Sequence, residues 1–505
     1  MKLARKKVLV VGLARSGVAA ARLLVKHGAS VIANDARAGD RLADSVAELR
    51  AMGAELSLGG HPPDLFAGVD LIVLSPGVPA DLPALDRARA AGVEMISEVE
   101  LASRFLRGRI IGITGSNGKT TTTTLTGELM RALGCDVLVG GNIGTPLTSL
   151  AEQATDGTWT VAEFSSFQLE TIQSLRVNVA VVTNITPDHL DRHHTFDNYV
   201  RAKHRIFLNQ SGDDWAILNG QDQAIAEMSR APGVASKQVW FSSRGPATVA
   251  GANADLYARD GHVYTTLPGG AETHVIALDE IPLRGMHNAE NVMAAVGATL
   301  CATGAPASSI PVLTEAIRLF KGVEHRMELV TAIGGVEFFN DSKATNVDST
   351  LKALESFEEN LIVILGGKDK DSDYRVLAPV IGERVKLVVL IGAAAEKIAG
   401  QLEGVAPMIR AESMEAAVSR AFDAASSGDK VLLAPACASF DMFDNYEHRG
   451  RVFKEAVRKL AGSNSVPASA RGEFSGRKGE LAPAESGATE FSADNVSRGH
   501  ARLPD

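Results

Sequence analysis

The chain has 505 residues, 45% of them hydrophobic and 5% aromatic, with 48 glycines. That length is enough for about three domains, and the profile excludes a disordered chain, a collagen-like fibre and a disulfide-stapled mini-protein. Lys and Arg total 51 against 60 Asp and Glu, a net charge of −9, which argues against a general nucleic-acid or anionic-membrane surface and leaves any anionic ligand to a local site. Cys135, Cys301 and Cys437 are scattered; they build no disulfide framework and no CxxC metal site, as expected in a reducing cytoplasm.

No apolar run reaches the ~18 residues that a membrane span needs. Lys2 to Lys7 followed by Val8-Leu-Val-Val11 imitates a secretion signal, but the run breaks at Arg15 and Arg22 and lacks a convincing cleavage site. Residues 8–11 therefore read as a buried strand, with further strands at 30–33 and 71–74 and helices at 18–27 and 42–52. Continuous β-branched strands separated by helices predict a parallel sheet covered on both faces. A second unit opens with a strand at 109–114 and continues with strands at 158–162 and 178–183. Between about 215 and 280 the text changes to short strands and turns, such as Pro268-Gly269-Gly270, predicting a small β-rich subregion. A third unit starts near Arg326, with strands at 337–340, 361–365, 387–391 and 431–434. From about 463 onward Ser, Gly, Ala, Glu and Arg dominate, a composition that cannot bury enough surface to fold and reads as a disordered tail.

The first strand–helix turn, Gly12-Leu-Ala-Arg-Ser-Gly17 with Asp35 ending the next strand, approximates a dinucleotide fingerprint. Ala14, however, replaces the middle glycine that lets a pyrophosphate approach the backbone. A nucleotide site and a purely structural turn both remain open there. Ser75-Pro-Gly77 is a second loop at the same sheet edge, weak alone because Pro-Gly is ordinary turn chemistry.

The strongest local signal is Ile110-Ile-Gly-Ile-Thr-Gly115-Ser116-Asn117-Gly118-Lys119-Thr120-Thr121. A strand feeds a glycine-rich loop, and Lys-Thr-Thr opens a helix. Successive N–H groups and the helix dipole can cradle phosphates, Lys119 can neutralise the β/γ oxygens, and Thr120 can hold Mg²⁺. Ile113 sits where the first glycine of the common spacing belongs, so this is a variant loop. Glu163, closing the strand at 158–162, is a natural Mg²⁺ ligand beside that loop, and a solvated edge acid without it. Asn184-Ile-Thr-Pro-Asp188-His189-Leu-Asp191-Arg192-His193-His194 clusters acids and histidines as metal or phosphate work requires. Mg²⁺ prefers oxygen, so His193 and His194 read as solvated loop residues.

Thr114 to Thr120, Gly141-Asn142-Ile-Gly144, Glu163-Phe-Ser-Ser-Phe-Gln168 and Asn184 to Asp191 together resemble the Mur ligases, the ATP-dependent amide-forming enzymes of peptidoglycan assembly. Met286 to Asn291, Glu324-His-Arg326, Asn340-Asp-Ser-Lys343-Ala-Thr345-Asn346 and Ser439 to Gly450 extend the likeness over about residues 5–460. Asp341 to Asn346 looks like the D-glutamate-adding branch of that family.

The resemblance implies an α/β chain of three domains with largely parallel sheets: a Rossmann-like domain at 1–107 for the UDP-substrate, a P-loop-like ATP-binding domain at 108–325, and a Rossmann-like domain at 326–463 for the amino acid, before the tail at 464–505. By the same resemblance, Asp35, Arg37, Ser75 and Gly77 would line the uridine diphosphate, with Ala36 limiting any uracil contact there to backbone. Gly115 to Thr121 would grip the ATP phosphates, and Asn142 would touch the substrate side of the γ-phosphate. Thr120 and Glu163 would hold one Mg²⁺ and His189 a second, toward which Lys203 would reach as a carbamate. Without the resemblance Lys203 reads as a helix-surface charge. Asn291, Arg326 and Asp341 would contact adenine, phosphate and ribose, and Lys343 the transferred phosphate. Thr345 and Lys370 would take the α-carboxylate of D-glutamate, and Ser439 with the backbone around Tyr446 its side-chain carboxylate; Tyr446 replaces a Phe of relatives.

The implied chemistry is phosphorylation of UDP-N-acetylmuramoyl-L-alanine by ATP to an acyl phosphate, then attack by the amine of D-glutamate. Two Mg²⁺ ions, Lys119 and Lys343 would offset charge in the transfer. The expected enzyme is a cytoplasmic monomer without nucleic-acid or membrane partners. Three rivals stand beside this reading. A folate or other peptide ligase is opposed by the Asp341–Asn346 segment. A non-catalytic ATP or UDP-sugar binder would need a damaged site, yet Lys119, Glu163, His189 and Lys343 are present. A dehydrogenase is opposed by Ala14 and the second phosphate loop.

Overall fold

The computed structural model describes residues 3–79, 81–267 and 269–464. Strand and helix alternate through it, and the strands form three sheets. The first contains β1 (Lys7–Val11), β2 (Ser30–Asp35), β3 (Glu55–Leu58), β4 (Leu71–Leu74) and β5 (Glu94–Ser97), ordered β3-β2-β1-β4-β5 and parallel throughout. Val8 to Val11 are fully buried because helices cover both faces of the central strand. Chain order reverses about β1, and a crevice of this kind opens beyond the carboxyl ends of β1 and β4. The sequence reading omits β3 and β5, since edge strands such as Glu55-Leu-Ser-Leu58 carry no continuous β-branched run.

The second sheet holds β6 (Arg109–Thr114), β7 (Val137–Gly141), β8 (Trp159–Glu163), β9 (Val179–Val182), β10 (Trp215–Asn219), β11 (Lys237–Ser242), β12 (Leu256–Arg259), β13 (His262–Thr265) and β14 (Thr273–Ala277). Their order is β14-β13-β12-β11-β10-β9-β6-β8-β7. The region expected to be β-rich, 215–280, holds five short strands, all of them part of this sheet. Strands β10, β11 and β12 continue the main sheet in parallel; β13 alone runs against it, antiparallel to both β12 and β14, and the three-strand meander β12–β14 extends its edge. Of the turn expected at 268–270, residue 268 lies outside the described residues. The helices Lys119–Ala132 and Met286–Thr303 pack together on one face of this sheet, the second so apolar that thirteen of its residues are buried.

The third sheet holds β15 (Glu328–Ile333), β16 (Val336–Asn340), β17 (Leu361–Gly366), β18 (Val385–Ile391), β19 (Met408–Arg410) and β20 (Lys430–Leu433), ordered β15-β16-β20-β17-β18-β19. Its pairings are parallel except β15 with β16. Among the described residues no helix is long and apolar enough to cross a membrane. The tail expectation falls on the segment beyond 464, outside the described residues.

Candidate functional site

β6 lies between β8 and β9, so three loops leave neighbouring carboxyl ends side by side. The central one is the glycine-rich loop. Gly118, at φ +81, caps the helix Lys119–Ala132 in the left-handed conformation, and a Cβ there would meet Asn291 Oδ1 at 2.2 Å. Gly115, at φ +146, packs so tightly that a Cβ would lie 2.0 Å from Thr183 Oγ1. These two positions require glycine. The result is a helix N-terminus whose first-turn N–H groups have no carbonyl within the helix to bond, the feature that suits phosphate.

Around that loop a cavity of about 380 Å³ opens, lined by Ser116, Asn117, Lys119, Asn142, Glu163, Gln168, Asp188, His189, Arg326, Lys343, Thr345, Asn346 and Tyr446, with Ala14, Arg15, Ser16 and Pro76 from the loops of the first sheet. Glu163 is 1% exposed. Its Oε1 accepts from Asn142 Nδ2 at 2.8 Å and its Oε2 from Thr120 Oγ1 at 2.7 Å. Burial pushes this carboxyl up, but Lys343, Lys119 and the two hydrogen bonds outweigh it and hold it below the usual carboxylate range. Lys119 Nζ folds back on its own loop, donating to Gly115 O at 2.9 Å and Ser116 O at 2.8 Å. Burial lowers its pKa against the pull of Glu163 and Asp188. Lys343 Nζ donates to Tyr446 Oη at 3.1 Å. Burial brings its pKa to about 8, with Glu163 opposing the shift.

Thr120 and Glu163 form a hydroxyl–carboxylate pair beside a phosphate cradle. Among the described residues no group of three acid, histidine or cysteine side chains could hold a metal by itself. That donor set fits Mg²⁺, which takes one or two carboxylates and fills its shell with substrate phosphates and water. His189 sits at the cavity wall at φ +53, a left-handed conformation uncommon outside glycine. Its ring lies 4.9 Å from that of Phe167.

Lys203 is not a surface charge. It is 1% exposed in the helix Phe196–His204, and its Nζ donates to Gly115 O at 2.6 Å behind the phosphate loop. Burial, then repulsion from Lys119, drives its pKa well below the ordinary lysine value, against the attraction of Asp188 and Glu163. The expectation for His193 is likewise corrected. It is 5% exposed, its Nε2 lies 2.9 Å from Ser166 Oγ, and its ring stacks on Phe167. His194 is exposed as expected.

The remaining expected residues divide by location. Asn291, Arg326 and Asp341 share a crevice with Gly118 and His287. Asp341 is buried with Oδ1 lacking a hydrogen-bond partner among the described residues, as does Arg326 Nε. Burial lifts the Asp341 pKa to about 6 although Arg326 opposes it. Thr121 is buried in the helix behind the loop. In the first sheet's crevice, Asp35 accepts from Leu13 N–H at 2.7 Å and pairs with Arg37 at 2.8 Å. Ser75 Oγ donates to Gly12 O at 2.6 Å, tying the two loops together, and Gly77 has open space around it. Lys370 pairs with Asp188 at 3.7 Å. Ser439 is 2% exposed and, like Lys370, does not line the cavity.

Sequence reasoning missed the links that bring these loops together. Asp188 accepts from Asn346 Nδ2 at 3.1 Å across the second and third sheets' loops. Asn117 bonds both Asp348 and Ser349, and Thr186 Oγ1 donates to Asp348 at 3.2 Å. The available signal was Asn346-Val-Asp-Ser, a helix cap followed by an acid.

A model described as the Mur ligase middle domain matches residues 113–299, one described as the Mur ligase glutamate ligase domain matches 325–437, and one described as the MurD-like N-terminal domain matches 6–97. A protein of Acidobacterium capsulatum named UDP-N-acetylmuramoylalanine–D-glutamate ligase is 50% identical over 458 residues, 90% of this chain and 97% of its own length.

The chain belongs to the Mur ligase family.

A relative of the same name from Koribacter versatilis is 48% identical, covering 90% of this chain and 98% of the relative. Among solved structures, UDP-N-acetylmuramate-alanine ligase from Thermotoga maritima aligns with a TM-score of 0.57 at 18% identity, over 90% of this chain and 100% of that one. A pseudomurein peptide ligase type C from Methanothermus fervidus aligns at 0.56 and 20%, with the same coverage. At those identities the two structures speak for the fold of this Mur ligase.

Proposed function

We propose that this Mur ligase joins D-glutamate to UDP-N-acetylmuramoyl-L-alanine at the expense of ATP, a step in making peptidoglycan precursors. The observation that carries the reading is the convergence of the phosphate loop, Glu163 and Lys343 on one cavity that also receives loops of the first sheet. The proposed division runs at 107/108 and 325/326, giving the UDP-substrate, ATP and the amino acid a domain each. The enzyme is proposed to act as a monomer in the cytoplasm.

In this reading Lys119 exchanges its two loop carbonyls for ATP phosphate oxygens, while the loop from Gly115 to Thr121 cradles the β-phosphate through the N–H groups of 118–121, those of Ser116 and Asn117 being held by Asn184. Asn291, Arg326 and Asp341 take the adenosine end. Lys343, with a pKa near 8, remains mostly an ammonium at neutral pH and faces the transferred phosphoryl group. Thr120, Glu163 and His189 would hold Mg²⁺, which when bound supplies the extra positive charge that phosphoryl transfer needs. Burial shifts Lys203 toward the neutral amine, the form able to add CO₂, so we propose that it is carbamylated and becomes an anion behind the phosphate loop. The alanine carboxylate attacks the γ-phosphorus and ADP leaves. The D-glutamate amine, with its carboxylates on Thr345, Lys370, Ser439 and the backbone near Tyr446, attacks the acyl carbon and phosphate leaves.

The test is ADP release with D-glutamate, L-glutamate, D-alanine and L-lysine offered in turn. Turnover confined to D-glutamate is expected. Turnover with L-lysine and none with D-glutamate would reassign the branch of the family.

A further inference from the structure

We infer that Arg192 is a positioning residue that ties the loop expected to hold the UDP-substrate's diphosphate to the loop carrying His189. The inference rests on the proposed ligase reading and concerns how a long substrate is held between two domains.

Three observations carry it. Arg192 Nη1 donates to Pro76 O at 2.7 Å, and Nη2 donates to Val78 O at 3.0 Å and to Glu170 Oε2 at 3.3 Å. Its guanidinium carbon lies 4.0 Å from the centroid of the Phe167 ring, and that ring also contacts His189 and His193. The side chain is only 16% exposed. One planar fork therefore joins the 75–78 loop of the first sheet, the 164–170 segment after β8 and the 184–194 segment after β9, the last two each including one short helical turn. Pro76, Gln168 and His189, one from each, line the same cavity.

A guanidinium suits this task where an ammonium does not. Its rigid donors reach two carbonyls and a carboxylate at once while its face stacks on an aromatic ring. The 75–78 loop does not need Arg192 for its own shape, since Ser75 Oγ bonds Gly12 O and Val78 N–H bonds Ser75 O. What Arg192 fixes is the position of that loop relative to His189. A ligand confined to the first domain should be indifferent to it. A ligand spanning from there to the γ-phosphate should depend on it, because a small misplacement of reacting groups costs much of the rate.

The experiment compares the full chain with Arg192→Lys and Arg192→Met, measuring calorimetric affinities for UDP and for UDP-N-acetylmuramoyl-L-alanine, KM for ATP, kcat, and melting temperature. Both variants should bind UDP within about twofold of the parent, while affinity for the complete substrate and kcat each fall about tenfold and the KM for ATP holds. Arg192→Lys, which keeps the charge, should melt close to the parent. Equal losses for UDP and the complete substrate would make Arg192 a support of the first domain alone and overturn the inference. So would parent-like affinities and rates in both variants, or a rise in the ATP KM as large as that for the substrate. Absence of D-glutamate-dependent turnover in the parent would instead refute the ligase reading; the two binding measurements need no turnover.

Discussion

Replacing Asp341 with asparagine should make the protein more stable and the enzyme worse. The carboxyl sits just beyond β16, 4% exposed, with Oδ1 lacking a hydrogen-bond partner among the described residues. Burial, partly offset by Arg326, raises its pKa from 3.8 to about 6. A raised folded-state value means that the native state holds its proton more tightly than the unfolded chain. The stability this confers is fully present below the unfolded value and is lost as pH rises through the folded one. About two units at roughly 1.4 kcal/mol each give a penalty of about 3 kcal/mol at neutral pH. Asparagine cannot ionise and escapes it. The variant should therefore unfold several degrees higher than the parent near pH 7.5, with the gap shrinking toward pH 4. Its KM for ATP should rise, because the ionised carboxylate is the proposed ribose contact. Thermal unfolding at about pH 5 and 7.5 reads the first effect and ADP-release kinetics the second. An asparagine variant less stable than the parent near pH 7.5, or a gap that ignores pH, would refute the reasoning and make Asp341 a stabilising ion-pair partner of Arg326.

Gly118→Ala should lower ATP affinity by at least tenfold, since alanine at φ +81 costs about 1–2 kcal/mol and its Cβ would collide with Asn291; parent-like ATP binding would show the loop tolerates the change. Lys119→Ala should abolish ATP-dependent turnover while calorimetric affinity for the UDP-substrate survives; a parallel loss of both would deny separate nucleotide domains. Lys203→Arg should lose about a hundredfold or more in turnover, and CO₂-free buffer should depress the parent until bicarbonate is restored; a near-normal Arg variant would end the carbamate role. Because Lys203 is buried rather than exposed, its replacements should also shift the melting temperature, which scanning calorimetry would detect; no shift would contradict the burial.

Much of this molecule is legible in the sequence because its chemistry is contiguous. The β6–loop–helix text from Ile110 to Thr121 names a phosphate cradle by local rules alone, and Glu163 follows from its place at a strand end. What is not legible depends on residues far apart in the chain. The flanking Arg201, His204 and Arg205 make Lys203 look like part of a solvated helix face, and only the fold shows it behind Gly115. His193 carries no pattern that foretells its burial against Phe167. The edge strands β3 and β5 lack the apolar runs that identify β1 and β4. The grip of Arg192 on two backbone carbonyls leaves no side-chain signature at positions 76 and 78 at all.

The central claim is that a substrate carboxylate is activated by phosphorylation before the D-glutamate amine attacks it. Its most direct test supplies UDP-N-acetylmuramoyl-L-alanine with ¹⁸O in the alanine carboxylate, together with ATP and D-glutamate. The account predicts that each turnover moves one labelled oxygen into the released phosphate, with ADP formed in equal amount and no label in ADP. Unlabelled phosphate, or product formed without matching ADP, would contradict it.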